Sequence, residues 1–439
     1  MKRTITAALL ALSSMVQAQE TVYPAAAQNG LLYIKNGTAH VGNGQIIENA
    51  SILIDKGKIV AIGQNVPVPT GNVKVYDVSG QHIYPGLILC NSALGLKEIA
   101  SGVRGSNDYQ EIGDVNPNIS SAYAYNADSK MINVLRSNGI LLAHVVPQGN
   151  LVTGTSSVVQ LDAWSFEDAV YAKDNGMHID MPTMLNRPSG RAAFLALLTG
   201  QAPPQTDAGK EALNTIEAIK VFLREAKAYA AEPTHANANL RLEAALPLFE
   251  KKQKLYLHAN EVKQMLVAID FVKEFGFDVV IVGGTESYQI ADLLKQNNIA
   301  VILDQQHRLP SMDDDDVDQP YKTPAVLQKA GVLFALNDED ENTRYRNLAF
   351  NAGTAAAYGL SKEEALMAIT LNAAKILGIE SRTGSLELGK DANIVVSQGD
   401  ILDVRTNQVT HAFIQGRTLD LTDKQKLLNE RYKMRYGIK

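Results

Sequence analysis

Cysteine is almost absent: Cys90 is the one thiol in 439 residues. An internal disulfide is excluded even in an oxidising compartment, and the expected state of Cys90 is a buried, inert thiol on an inner strand. With no readable His partner, it does not support a cysteine nucleophile. Positive charge is not in excess, with 41 Lys and Arg against 47 Asp and Glu, so the clustered cations that phosphate binding needs are missing and nucleic acid is not an expected partner. Beyond the N-terminal run, no apolar stretch approaches the roughly 20 residues needed to cross a bilayer. There are no internal repeats and no Gly-x-Ser-x-Gly elbow. No Gly-Lys-Ser/Thr follows "GNLVTGTSS", Gly149 to Ser157, which reads as a flexible rim loop rather than a phosphate cradle. The run Asp313 to Asp316 with Asp318 lacks the Gly and distal Glu of a calcium loop and reads as a solvated loop.

What is present is enough apolar material for a large core, 46% hydrophobic residues with 20% charged. The chain begins "MKRTITAALLALSSMVQA", in which Lys2 and Arg3 precede an apolar run that ends in small residues suited to a signal peptidase. Cleavage is expected after Ala18, no Cys follows to carry a lipid, and the expected location is periplasmic or secreted. Loss of Lys2 and Arg3 leaves 39 cations against 47 anions, a mature charge of −8.

Both ends of the chain read as β-structure. "LLYIKNG" and "ASILIDKGKIVAIG" form strands, with Lys56-Gly57 as the turn of a hairpin, and the same texture returns in "GSLELGKDANIVVSQGD" and "VTHAFIQGR". The middle alternates strands ("HIYPGLILC", "GILLAHVVP", "SSVVQLDA", "KLYLHA", "DVVIVGG", "IAVILDQ", "VLFALND") with helices that begin near Glu261, Ser287, Thr323 and Arg344. That alternation implies a parallel sheet, and the number of units favours an α/β fold of the (β/α)8 TIM-like barrel type, with a small β-sandwich domain built from both chain ends. The expected division is a signal peptide at 1–18, sandwich segments at 19–80 and 381–439, and the barrel at 81–380. Ser361 and Glu364 form a capping box opening one helix, with Leu366, Ile369, Ala373 and Ile376 on its buried face until Gly378 ends it. A long helix between the third strand and "KLYLHA" buries Ile216, Ile219, Phe222 and Leu223, but no residues in that region read as the fourth barrel strand.

Five stretches occur in a telling order: "YPGLI" after an N-terminal hairpin, "LHAN" on a middle strand, "FALND" on the last strand, "LSKEEALMAITLNAAKILGI", and "GSLELGKDANIVV". From about Leu31 to Arg417 the chain resembles the amidohydrolase superfamily, in particular the branch related to imidazolonepropionase. The resemblance implies hydrolysis of C–N bonds other than peptide bonds, in cyclic or linear amides. It also implies a divalent metal such as zinc, held at the barrel rim by a His-x-His on the first strand, a Lys or Glu on the fourth, a His on each of the fifth and sixth, and an Asp on the eighth. Such a metal lowers the pKa of its bound water, and the Asp moves the proton to the leaving nitrogen.

Carried over residue by residue, the match is partial. The first-strand histidines fall on Asn91 and Ala93, with Leu89 at the usual Asp, and the sixth-strand ligand falls on Gly283 in "VGGT". His258 matches the fifth-strand His and Asp338 the eighth-strand Asp, so two of five readable donors remain and tight zinc binding is not expected. His258 reads either as a ligand or as an interior histidine bonded to a neighbour. Asp338, the catalytic candidate, ends an apolar strand at the rim but also opens the acidic stretch "NDEDEN". His144 on the second strand is a substitute ligand or core filling, and Asp304, His307 and Arg308 read either as polar contacts to a substrate or as an ordinary rim loop.

Three functions therefore stay open. One is an exported C–N hydrolase acting on a small-molecule amide or peptide-derived substrate with an incomplete metal site. Another is a catalytically silent homologue that binds a ligand or pairs with a related, active amidohydrolase to stabilise it; the resemblance also implies a homodimer as one arrangement. The third is metal-free acid–base chemistry on Asp338 and His258.

Overall fold

The structure, a computed structural model, describes residues 22–98, 107–149, 151–185, 198–199, 207–232, 234–235, 237–310, 315–338 and 344–438. The leader read at 1–18, and Asp313 and Asp314 of the acidic run, lie outside them.

Both chain ends meet in one eight-stranded sheet. It holds β1 (Leu31–His40), β2 (Ile46–Asp55), β3 (Lys58–Gly63), β4 (Val73–Asp77) and β5 (His82–Pro85) from one end, and β14 (Ile394–Ser397), β15 (Val409–Ile414) and β16 (Arg417–Thr418) from the other. Lys56 and Gly57 turn β2 into β3 with φ of 47° and 77°, the left-handed pair that matches strand twist in a tight hairpin. β5 pairs with β14, so the last third of the chain is stitched to the first.

A second eight-stranded sheet curls into a nearly closed barrel: β6 (Leu87–Ser92), β7 (Ile140–Val145), β8 (Val152–Gln160), β9 (Val170–Asp180), β10 (Lys254–Ala259), β11 (Val279–Gly283), β12 (Ala300–Leu303) and β13 (Phe334–Leu336), in that order. The TIM-like barrel expected from the sequence is present, and the domain expected as a small β-sandwich of both chain ends is one eight-stranded sheet to which both ends contribute. Within the barrel one strand is reversed: β8 runs antiparallel to both β7 and β9. Most of the Gly149–Ser157 stretch, read above as a rim loop, belongs to this buried strand. The fourth barrel strand is β9, which lies before the long helix rather than after it.

Around the strands lie α1 (Lys130–Ser137), α2 (Ala208–Ala231), α3 (Leu240–Phe249), α4 (Val262–Phe275), α5 (Ala291–Gln296), α6 (Gln319–Ala330), α7 (Leu348–Ala357), α8 (Lys362–Ala368) and α9 (Leu371–Leu377), with α10 (Lys424–Tyr436) at the C-terminal end. Alternate strand residues part company: Leu87, Leu89 and Leu255 pack against helices, while Ile88, Cys90, Leu142, Val158, Tyr256 and Ile302 fill the interior. Cys90 is free and buried there, and burial pushes its thiol up to about 12. Phe222 of α2 is only half-buried, unlike Ile216, Ile219 and Leu223.

The single helix expected from Lys362 to Leu377 is two helices, α8 and α9, broken at Ile369 and Thr370. The break serves the barrel seam, because the freed Ile369 carbonyl accepts the amide of Ile88 on β6 at 3.0 Å. α9 then closes the lower end of the barrel: its Lys375 and Ile376 carbonyls accept from the Lys254 ammonium at 2.9 and 2.6 Å. The capping box opening α8 is present, with the Ser361 hydroxyl accepting from the Glu364 amide and the Glu364 carboxylate accepting from the Ser361 amide. Ser361→Ala is expected to lower stability by about 1 kcal/mol, read as a shift in urea midpoint without a change in slope.

Candidate functional site at the barrel mouth

The C-terminal ends of β9 to β12 surround a cavity of about 460 Å³, lined among others by Asp180, Thr183, His258, Asn260, Glu261, Gly283, Glu286 and Asp304. Strand alternation points Gly176 and His178 of β9 and Tyr256 and His258 of β10 into the barrel, and pairing sets His258 beside Asp180. Gly176 has no side chain because the Tyr256 ring occupies the space a Cβ would take. That ring stacks on His178 with centroids 4.7 Å apart.

A polar string runs from the barrel interior to the cavity. His144 Nε2 and His178 Nε2 lie 2.7 and 2.8 Å from the Ser156 hydroxyl oxygen, His178 Nδ1 lies 2.9 Å from His258 Nε2, and His258 Nδ1 lies 3.6 Å from Asp180. The Ser156 hydroxyl donates to the Gly176 carbonyl at 3.2 Å. Its oxygen must then accept from both imidazoles, so each carries its proton on Nε2. His178 Nδ1 is left as the acceptor for His258 Nε2–H, and His258 Nδ1 faces the Asp180 carboxyl.

This assignment also makes sense of His144 Nδ1, which is buried with no hydrogen-bond partner among the described residues. A bare lone pair there costs less than a stranded N–H. Burial, with the charge of His258 second, pushes His144 down to about 3 and His178 well below the usual imidazole value. Burial works the other way on Asp180, holding its carboxyl above the ordinary range.

His144 and His258, both singled out from sequence, are thus joined through Ser156 and His178. Asp338 is not part of this string and does not line the cavity. It is 1% exposed, and its Oδ2 accepts from the Asn351 side-chain amide at 3.1 Å. Asp304 lines the cavity, with the Arg308 guanidinium 4.0 Å away and donating to the Thr285 hydroxyl at 2.7 Å. His307 turns elsewhere, to the Thr354 hydroxyl at 2.7 Å.

Sequence reading missed Ser156, His178 and Asp180. The signal for the last two was the alternation Gly176-His178-Asp180 against the apolar Met177 and Ile179. It was hidden by Lys173, Asp174 and Asn175, residues that disfavour a strand upstream.

The positions where the resemblance implied metal ligands are filled in specific ways. Asn91 adopts φ of 44°, and its carbonyl accepts from the Asn337 side chain at 3.3 Å, a link between the first and last barrel strands. The amide of Ala93 donates to the Tyr345 hydroxyl at 3.2 Å. A Cβ on Gly283 would lie 2.5 Å from Asn260 Oδ1. That oxygen is pinned, since it accepts from the Thr285 hydroxyl at 2.7 Å and the Thr285 amide at 3.3 Å. Among the described residues, no three His, Cys, Asp or Glu side chains are grouped to hold a metal ion.

The barrel gathers polar groups at the carboxyl ends of its strands and is accompanied by a sheet built from both chain ends. The Amidohydrolase family model matches residues 281–419. The imidazolonepropionase of Thermoplasma volcanium is 25% identical over 383 residues, covering 81% of this chain and 85% of that protein. That of Bdellovibrio bacteriovorus is 22% identical over 392 residues, covering 81% and 84%. The crystal structure of an amidohydrolase from Thermotoga maritima superposes with a TM-score of 0.74 at 26% identity, over 89% of this chain and 99% of that one. The chain belongs to the amidohydrolase superfamily, on its imidazolonepropionase-like branch. Members of this family are C–N hydrolases that typically use a divalent metal.

Proposed function

We propose that this chain is an exported member of the C–N hydrolase family that has lost the family's metal-centred hydrolysis and keeps the barrel-mouth cavity as a binding site for a small amide. The observation that carries this reading is Asn260, whose side chain occupies the space of the sixth-strand ligand beside Gly283 and is held there by Thr285. The remaining donors do not fit a metal of the family's kind. His258 has one ring nitrogen bonded to His178 and the other facing Asp180, Ala93 offers no side-chain donor, and Asp338 is engaged by Asn351 outside the cavity lining. Zinc needs three or four convergent donors, which these residues do not supply.

The chain's own residues suit binding. Asn260 and the cavity carboxylates offer an amide ligand both donors and acceptors, and His258 offers an imidazole oriented by the string behind it. The apolar run after Lys2 and Arg3 supports a periplasmic or secreted location, and intact mass of the exported protein is expected to show the loss of residues 1–18.

Elemental analysis and turnover test the reading together. Protein made with zinc supplied and then gel-filtered is expected to carry well under one equivalent of any transition metal. Its slow or absent hydrolysis of a five-membered cyclic amide should be unchanged by a chelator, while calorimetry detects binding of that amide. One tightly held equivalent, with turnover that the chelator abolishes, would overturn the proposal.

A further inference from the structure

Carboxylates reach the barrel-mouth cavity from the ends of four consecutive strands: Asp180 ends β9, Glu261 follows β10, Glu286 follows β11 and Asp304 follows β12. Among the described residues that line the cavity there is no Lys or Arg, and His258 is the one basic side chain. Arg308 stands behind that lining, 4.0 Å from Asp304, and donates instead to the Thr285 hydroxyl at 2.7 Å.

The four carboxylates differ in how they are satisfied. Glu261 accepts from the Thr183 hydroxyl at 2.6 Å and the Met184 amide at 3.0 Å, and Glu286 accepts from the Val262 amide at 2.8 Å. Asp180 and Asp304 accept no hydrogen bond from any described residue. For Asp180 the nearest approach is His258 Nδ1 at 3.6 Å, and Asp304 Oδ1 is buried without a partner in a side chain that is 12% exposed. Burial holds the Asp180 carboxyl above the ordinary range, as it does for an anion with no close counterion. A carboxylate withdrawn from water without donors is costly, and a cation that brings N–H groups offsets that cost. A neutral amide brings only its own N–H, and an anion would be repelled.

We infer that the ligand of this cavity is an amide that also carries an ammonium or guanidinium group, its cation drawn in by the Asp180 and Asp304 carboxylates and its amide placed against Asn260. The inference rests on the reading of the cavity as an amide-binding site and adds the charge of what enters it.

Calorimetry on the full chain at neutral pH tests this with three five-membered lactams. They bear a methyl, an aminomethyl or a carboxylate group on the carbon beside the ring nitrogen, and so are neutral, cationic and anionic. The aminomethyl lactam is expected to bind about tenfold or more tighter than the methyl lactam, roughly 1.4 kcal/mol, and the carboxylate weakest. Asp180→Asn and Asp304→Asn should each narrow that ratio several-fold. Equal binding of the cationic and neutral lactams, tightest binding of the carboxylate, or a ratio that neither substitution narrows would overturn the inference and leave the amide-binding reading standing. Butylammonium serves as a fourth probe that has the cation and no amide. If it binds while no lactam does, the amide reading fails and the cation preference alone survives; if none of the four binds, both fail.

Discussion

Acidification to about pH 5 is expected to remove about 4 kcal/mol of folding stability through two side chains, His144 and His178. Both are fully buried and neutral, held far below the unfolded imidazole value near 6.5. Between the folded and unfolded values the unfolded chain binds more protons than the native one, so stability is complete above about pH 6.5 and falls with pH. For His144 the loss continues down to about 3. Each histidine contributes about 1.4 kcal/mol per pH unit across its window. Burial depresses His82, His307 and His411 as well, which adds in the same direction. Asp180, held above its ordinary range, opposes them in part. Urea denaturation at a series of pH values measures the slope, and His144→Leu should remove about half of what the buried pair contributes. A profile flat from pH 7 to about pH 5 would mean that the imidazoles are hydrated, and the string of hydrogen bonds would have to be abandoned.

Restoring the missing sixth-strand ligand is expected to damage the fold rather than rebuild a metal site. Gly283→His adds a side chain where the backbone has φ of 97°, and its Cβ would meet Asn260 Oδ1 at 2.5 Å and Cγ at 3.0 Å. Left-handed strain and overpacking each cost about 1–3 kcal/mol, giving a loss of roughly 2–6 kcal/mol. Asn260 does not swing aside freely, because doing so breaks its bonds to the Thr285 hydroxyl and amide. Asn260→Gly in the same chain should return the overpacking part but not the backbone part. The variant is expected to bind zinc no better than the parent, since His258 is already bonded to His178. A stable Gly283→His protein holding one zinc would show the family's centre to be a single substitution away, and the binding-site proposal would fail with it.

Most strands of the two sheets were legible because strand residues alternate locally, and the family resemblance set their order, whereas β9 and the first half of β8 were not. The α8 cap was legible for a similar reason, since Ser361 and Glu364 satisfy each other within one turn. The reversed β8 was not, because "SSVVQ" reads the same in either direction and only its pairing with β7 and β9 decides its sense. The break between α8 and α9 was hidden by a helical pattern that runs through Ile369, whose carbonyl is claimed by Ile88, 281 positions earlier.

By itself the sequence determined the class of fold and the loss of side-chain donors at Ala93 and Gly283, since both reside in residue identity and local spacing. Only the tertiary structure decided that His144, Ser156, His178, His258 and Asp180 form one string while Asp338 stands apart from it. Those residues come from four strands, and which of them touch depends on register and on the curl of the sheet, which no local stretch encodes.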